Sequence, residues 1–267
     1  MIKAEIKCKT IVSPSGIPGC DFAVNPFVGC SHACVYCYAK FMKKFTDHEE
    51  PWGEFLDVRV NAAEAAVKQL RSGKYRGKSV LLSSVTDPYQ PAEKEYRLMR
   101  ELLPLLAEFG MRISILTKSS LVARDADILS RIEGVSVGVS MTGIDEQARM
   151  AFEPGASPYA DRLVALEQLS AKGIETHVFV GPILPGVTDR DFDILMRAIR
   201  DAGAGSIMFD ALNYADRNLP LLLDAAIKVC PESAPLYGEA PEFTARSLKK
   251  KIREFQKSSG IPCSIVF

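Results

Sequence analysis

The chain has 267 residues, enough to bury a sizeable core and long for one domain, although α/β barrels reach this size as a single unit. Apolar residues make up 47% and charged residues 25%, which leaves no room for long disordered tracts. Thirty-three basic residues balance thirty-three acidic ones, so no overall positive field recruits nucleic acid or an anionic membrane.

The first residues, MIKAEIKCKTIVSPSG, are charged and have no apolar h-region, so they do not read as a secretory signal. No apolar run is long enough to span a bilayer. A cytoplasmic location, with reduced thiols, is the expectation. Seven cysteines is an odd count, and three of them crowd into GCSHACVYCYA (29–39), which points to ligation chemistry over a disulfide framework.

In chain order, DFAVNPFVG (21–29) reads as a first strand and NAAEAAVKQLRSG (61–73) as part of the first crossover. Apolar, β-branched runs recur at SVLLSSVT (79–86), RISILTKS (112–119), VSVGVSMT (135–142), THVFVGPIL (176–184) and SIMFDALN (206–213). Between them lie the helical patterns 95–110, 123–134, 158–173 and 189–203, each ending at a glycine suited to a helix C′ position. The alternation predicts an α/β fold of six βα units. Closing an eightfold barrel would take two more. The expectation is a partial (β/α)6 TIM-like barrel over residues 1–214, including an N-terminal lead-in. A C-terminal extension, 215–267, carries Pro220, Pro231, Pro235 and Pro241 and the apolar end CSIVF, and is expected to pack over one edge or mouth.

Successive strand side chains point to opposite faces. Val135, Val137, Val139 and Met141 form an apolar row suited to helices, and Ser136, Gly138, Ser140 and Thr142 form a small polar row opposite. The same split sets Ser84, Thr86, Ser114, Lys118, His177, Gly181 and Asp210 against the aliphatic rows of their strands. An ordinary barrel interior is packed with branched aliphatics. A polar one is expected to hold a polar ligand, the other reading being solvent at an open edge.

Three thiols within eight residues suit a metal. A closed zinc site wants four ligands, and His32 or His48 could supply the fourth, although the spacing is unlike paired C-x2-C ribbons. A cuboidal iron-sulfur cluster normally takes four cysteines, so three leave one iron open. A non-catalytic zinc or iron-sulfur sensor module stays among the readings.

Cys30-x3-Cys34-x2-Cys37, with Tyr36 before the last cysteine and on a loop after the first strand, resembles the radical S-adenosylmethionine superfamily. NPFVGCSHACVYCYA (25–39) resembles the branch that contains spore photoproduct lyase. The likeness continues through TDPYQP (86–91), LTKS (116–119), FEPG (152–155) and PILPGVTD (182–189). It implies a [4Fe-4S] cluster on Cys30, Cys34 and Cys37, with S-adenosylmethionine on the open iron. Reductive cleavage would give a 5′-deoxyadenosyl radical that abstracts hydrogen from an unidentified substrate, fed by a reducing partner of the flavodoxin or ferredoxin type. In that picture Lys118 pairs with the methionine carboxylate, and Ser84, Thr86 and Asp87 face its amino group. Ser140 and Thr142 reach the ribose, Tyr36 lies near the adenine, and Asn213 sits at the adenine edge. His177, Asp210 and Tyr89 are candidates for substrate contact.

Plainer readings stand beside these. Asp87 precedes Pro88 and suits a turn, His177 suits a satisfied core position, and Asp210 suits a buried ion pair. Thr188 and Asp189 are expected to cap the following helix, and the basic runs at 43–45 and 249–251 to be solvated. Spore photoproduct lyase repairs a thymine dimer using a cysteine near the end of its second strand as hydrogen donor. The corresponding SSVTD (83–87) has serine, and an O–H bond is far stronger than S–H. DNA photolesion repair is therefore the alternative function.

Overall fold

The computed structural model describes residues 1–212, 218–239 and 241–267, so Asn213 lies outside the described residues. In chain order the strands are β1 (Ile2–Ile6), β2 (Val12–Pro14), β3 (Phe22–Val24), β4 (Phe27–Val28), β5 (Phe55–Arg59) and β6 (Ser79–Leu82). They continue with β7 (Arg112–Thr117), β8 (Ser136–Ser140), β9 (Glu175–Ile183), β10 (Ser206–Ala211) and β11 (Cys263–Ile265). The main sheet runs β11-β10-β9-β8-β7-β6-β3-β2. It is parallel throughout except for β2, which pairs antiparallel with β3. Its two ends, β2 and β11, do not pair, so it is an open, partial barrel.

The six anticipated strands are β3 and β6 to β10, in sequence order. Two more sit on the edges. The apolar end of the extension adds to β10, with Ile207 opposite Cys263. Three-residue strands are too short for a period of two to show in sequence.

The anticipated first strand, 21–29, divides at Asn25 and Pro26. β3 joins the main sheet, while β4 pairs with β5 in a second sheet ordered β1-β5-β4. The Asn25 carboxamide is the staple: its Oδ1 accepts from Ser84 N at 2.9 Å and Val85 N at 3.1 Å. Residues 83–86 are thereby drawn out of β6 into a loop over the strand ends.

The core lies between sheet and helices. Val80, Leu82, Ile113, Ile115 and Val137 pack against helices Ala62–Leu70 and Leu98–Glu108. Val139, Met141, Val178, Val180, Ile207 and Phe209 pack against Phe192–Asp201 and Pro241–Ser259. Each fully buried side chain of this kind contributes about 1.5–3 kcal/mol. Helix Tyr159–Ala171 ends as anticipated, at Gly173 with φ +72°. The helix expected over 95–110 is instead two pieces, broken at Arg97 in the left-handed region (φ +52°). Glu93 makes the break stable, accepting from the N–H groups of Leu98 at 2.9 Å and Met99 at 3.0 Å. Among the described residues no helix is long and apolar enough to cross a membrane.

Candidate functional site

The cysteine loop rises from β4 over the carboxyl ends of the main strands. Cys30 and Cys34 are buried and Cys37 half-buried. Three segments hold the loop. From 86–91, Gln90 accepts from Ser31 N at 2.9 Å, and Thr86 Oγ1 donates to Gly29 O at 2.5 Å. From 152–155, Phe152 O accepts from Val35 N, and Gly155 N donates to His32 O, both at 2.9 Å. A Cβ at position 155 would collide with the Ser31 carbonyl, so only glycine lets the two backbones meet. From the extension, Asn218 donates to Cys37 O at 3.1 Å.

Behind the loop lies a buried polar network. Glu153 and Arg162 are both fully buried, and Arg162 Nη2 donates to Glu153 Oε2 at 2.5 Å while Nη1 donates to Ser140 O at 2.8 Å. Tyr36 Oη donates to Glu153 Oε1, which also accepts from Thr142 Oγ1 at 3.3 Å. Burial works against the charge on Glu153, but Arg162 and Lys118 outweigh it and hold the carboxyl below its ordinary range. Lys118 Nζ lies 5.6 Å from the Tyr36 ring centroid. Burial tends to lower its pKa, and Cys34 and Glu153 reverse that, so the ammonium stays charged beside the loop.

Asp87 is a second anchor. Thr117 Oγ1 donates to Oδ1 at 2.6 Å, Tyr89 N to Oδ1 at 2.9 Å, and Lys118 N to Oδ2 at 2.8 Å. His32 Nδ1 approaches Oδ2 to 3.3 Å, within ion-pair reach but outside hydrogen-bond alignment. Burial opposes ionisation of Asp87, yet His32 and these donors hold its pKa at about 2.

The thiols respond in the opposite sense. Burial pushes Cys30 up to about 12, Cys34 well above its ordinary value, and Cys37 upward. Such thiols ionise when a cation is bound to them. Around them, His32 Nδ1 and the Trp52 Nε1 beside Cys37 are buried donors without a completed hydrogen bond. By donor chemistry, three thiols, a neighbouring cation at Lys118 and spare N–H groups suit a sulfur-rich cluster with one ligand position left to another molecule, although no three His, Cys, Asp or Glu side chains among the described residues stand together as a metal-binding group. The other cysteines lie elsewhere: Cys20 Sγ bonds Phe22 O, Cys230 Sγ bonds Pro185 O, Cys263 Sγ bonds Ile261 O, and Cys8 pairs through its backbone with Asn61.

The structure thus gathers Tyr36, Thr86, Asp87, Lys118, Ser140 and Thr142 around the loop, though not all are free to meet a ligand. Both oxygens of Asp87 are engaged. Thr142 is fully buried and turned to Glu153 and to Tyr159 Oη at 2.5 Å, and Ser140 is 2% exposed. Ser84 Oγ accepts from Asn25 Nδ2 at 3.3 Å. Tyr89, expected at a substrate, is a core residue: it is fully buried among Met99, Leu102 and their neighbours because the 87–90 turn points its ring toward the helices. Thr188 and Asp189 close a turn instead of capping a helix: Thr188 Oγ1 accepts from Leu184 N at 2.9 Å and Asp189 Oδ1 from Gly186 N at 2.7 Å, while Thr188 Oγ1 donates to Thr142 O at 2.5 Å. His177 and Asp210 are half-buried on the interior face. Ser136 Oγ and His177 Nδ1 lie 3.0 Å apart, and the imidazole lies over Gly138, where a Cβ would collide with it. Burial lowers the His177 pKa and raises that of Asp210, which has no ion-pair partner among the described residues.

Sequence reasoning did not single out Glu153, Arg162, Gln90, Asn25, His32 as a partner of Asp87, or Trp52. The signal for Glu153 and Arg162 was available: a glutamate in FEPG and an arginine on the inner side of an amphipathic helix, each unaffordable in a core without the other.

The radical SAM superfamily model matches residues 24–199. An uncharacterized protein of Mycobacterium tuberculosis is 34% identical over 247 residues, covering 88% of this chain and 72% of that one. Among solved structures, spore photoproduct lyase complexed with dinucleoside spore photoproduct superposes with a TM-score of 0.69 at 14% identity, over 99% of this chain and 82% of that one. Streptococcus suis SuiB bound to S-adenosylmethionine superposes with a TM-score of 0.59 at 12% identity, over 91% and 46%.

Proposed function

Because the chain belongs to the radical S-adenosylmethionine superfamily, we propose that it is a radical enzyme in which Cys30, Cys34 and Cys37 hold a [4Fe-4S] cluster beside a site for S-adenosylmethionine. Held there, the cluster and S-adenosylmethionine would supply one-electron cleavage of the sulfonium, giving methionine and a 5′-deoxyadenosyl radical able to take a hydrogen atom from substrate. The observation that carries this reading is the set of three thiols on one clamped loop, two buried and one half-buried, with the Lys118 cation beside it.

The chain's own residues supply position and shelter. Lys118 would pair with the methionine carboxylate, and Asp87, through Thr117 and the Lys118 N–H, fixes the strand end that carries it. Tyr36, pinned by Glu153, offers a fixed aromatic face. Burial of the loop keeps water from a reactive centre. The half-buried row of Ser114, Ser136, His177 and Asp210 is the surface offered to substrate.

Repair of a DNA photolesion is the second reading, drawing on the likeness to spore photoproduct lyase. Ser84 speaks against it, being both a poor hydrogen donor and engaged with Asn25. Repair would require DNA binding that weakens steeply as salt rises.

The test is anaerobic reconstitution with iron and sulfide, followed by dithionite and S-adenosylmethionine. The wild type is expected to become brown and release 5′-deoxyadenosine, and Cys34→Ala to do neither. A colourless protein that takes up zinc in place of iron would overturn the reading.

A further inference from the structure

A recess of about 210 Å³ opens on the flank of the cysteine loop, between the N-terminal lead-in and the stretch that leads into Cys30. Ile11, Phe27, Met42 and Val85 give it an apolar wall, and Arg59 is the only charged lining residue among the described residues. Arg59 sits at the end of β5, where Nη1 donates to Asn25 O at 2.9 Å. That carbonyl is itself fixed, because the Asn25 side chain is bound by Ser84 N and Val85 N.

The rest of the guanidinium is uncommitted. Nε is buried with no hydrogen-bond partner, Nη2 makes no hydrogen bond among the described residues, and no carboxylate among them lies within ion-pair distance. Arginine does not shed its charge in a protein, and a buried donor without a partner carries a desolvation cost that an acceptor would remove. The Nε and Nη2 edge is the fork that grips a carboxylate or phosphate through two parallel bonds. Here that fork is held rigid by its third nitrogen and faces no acid among the described residues.

We propose that this recess binds a small acid, a carboxylate or phosphate carried on a compact apolar body, with the anionic group on Arg59. The volume is below the roughly 300–1,000 Å³ of sites for drug-sized ligands, which limits the body to about one ring or a short branched chain. A nucleotide or a strand of DNA does not fit. Since Phe27 and Val28 are both wall and approach to the cysteine loop, a bound acid touches the segment that carries Cys30. The proposal stands apart from the radical chemistry, because no step of it involves a cluster.

The test is calorimetric titration of the full chain with benzoate and with phenyl phosphate, against benzyl alcohol as the uncharged control. At least one acid is expected to bind once per chain with Kd of about 1 mM or tighter, and the alcohol at least tenfold more weakly. Which acid wins decides between carboxylate and phosphate. Arg59→Met should weaken binding tenfold or more. Met42→Trp, which fills the recess and leaves Arg59 in place, should do the same and decides the matter alone if Arg59→Met does not fold. No binding of either acid up to about 10 mM, alcohol binding as tight as the acids, or binding unchanged in Met42→Trp would overturn the proposal.

Discussion

The cysteine loop, which rises from the second sheet, and the interior face of the main sheet are built on opposite plans. Around the loop, Ser31 N, Val35 N, Gly155 N and Tyr36 Oη find fixed partners, and a fully buried Glu153–Arg162 pair sits behind it. In the interior, Ser114, Ser136, His177 and Asp210 stay half-buried, and Met208 is 40% exposed. A preorganised shell suits chemistry that is the same at every turnover. A loosely partnered row suits recognition of a molecule that completes it.

Five variants probe that contrast and its boundary. Cys34→Ala removes one of three thiols and is expected to abolish both iron incorporation and 5′-deoxyadenosine release, followed by absorbance and product assay. Arg162→Met leaves Glu153 as an unpaired buried carboxylate and should cost about 3–5 kcal/mol in urea unfolding. A loss below about 1 kcal/mol would show that water reaches the pair, and the contrast between the two regions would fall.

Asp87→Asn is expected to cost about 2 kcal/mol at neutral pH, the worth of a carboxyl lowered from 3.8 to about 2. The sign follows from the lowered value: the wild-type stabilisation is full above pH 3.8 and is lost as pH falls from 3.8 toward 2. Urea melts across that window should therefore slope less in the variant than in the wild type.

His177→Ala should cost about 1 kcal/mol or less, the worth of one exchanged hydrogen bond to Ser136. It should leave release of 5′-deoxyadenosine intact, because the residue serves the open row. A loss of that release matching Cys34→Ala would move His177 into the cofactor machinery.

Lys118→Ala gauges the boundary between the regions. It should keep the brown cluster and weaken S-adenosylmethionine about tenfold, or about 1.4 kcal/mol, measured by equilibrium binding.

Legibility in sequence followed the length scale of each feature. Long runs were readable: the six parallel strands follow from the alternation in VSVGVSMT and its counterparts. Short edge strands such as β2 and β11 were not, nor was the break at Arg97, which depends on Glu93 reaching the N–H groups of Leu98 and Met99. At the site, three cysteines in one loop announced themselves by spacing alone. The orientation of Tyr89 did not, since a proline-bounded turn gives no period from which to read a face.

The sequence by itself determined the fold class, the clustering of three thiols and the polar character of one strand face, because each is a local pattern of residue type along the chain. Tertiary structure alone decided what those groups do together. It brought Glu153 onto Tyr36 across 117 residues and Asp87 onto Thr117 across 30. It also left the Arg59 fork facing no acid among the described residues. The physical reason is that burial makes a lone charge costly, and its partner is found in space at a separation that no sequence period encodes.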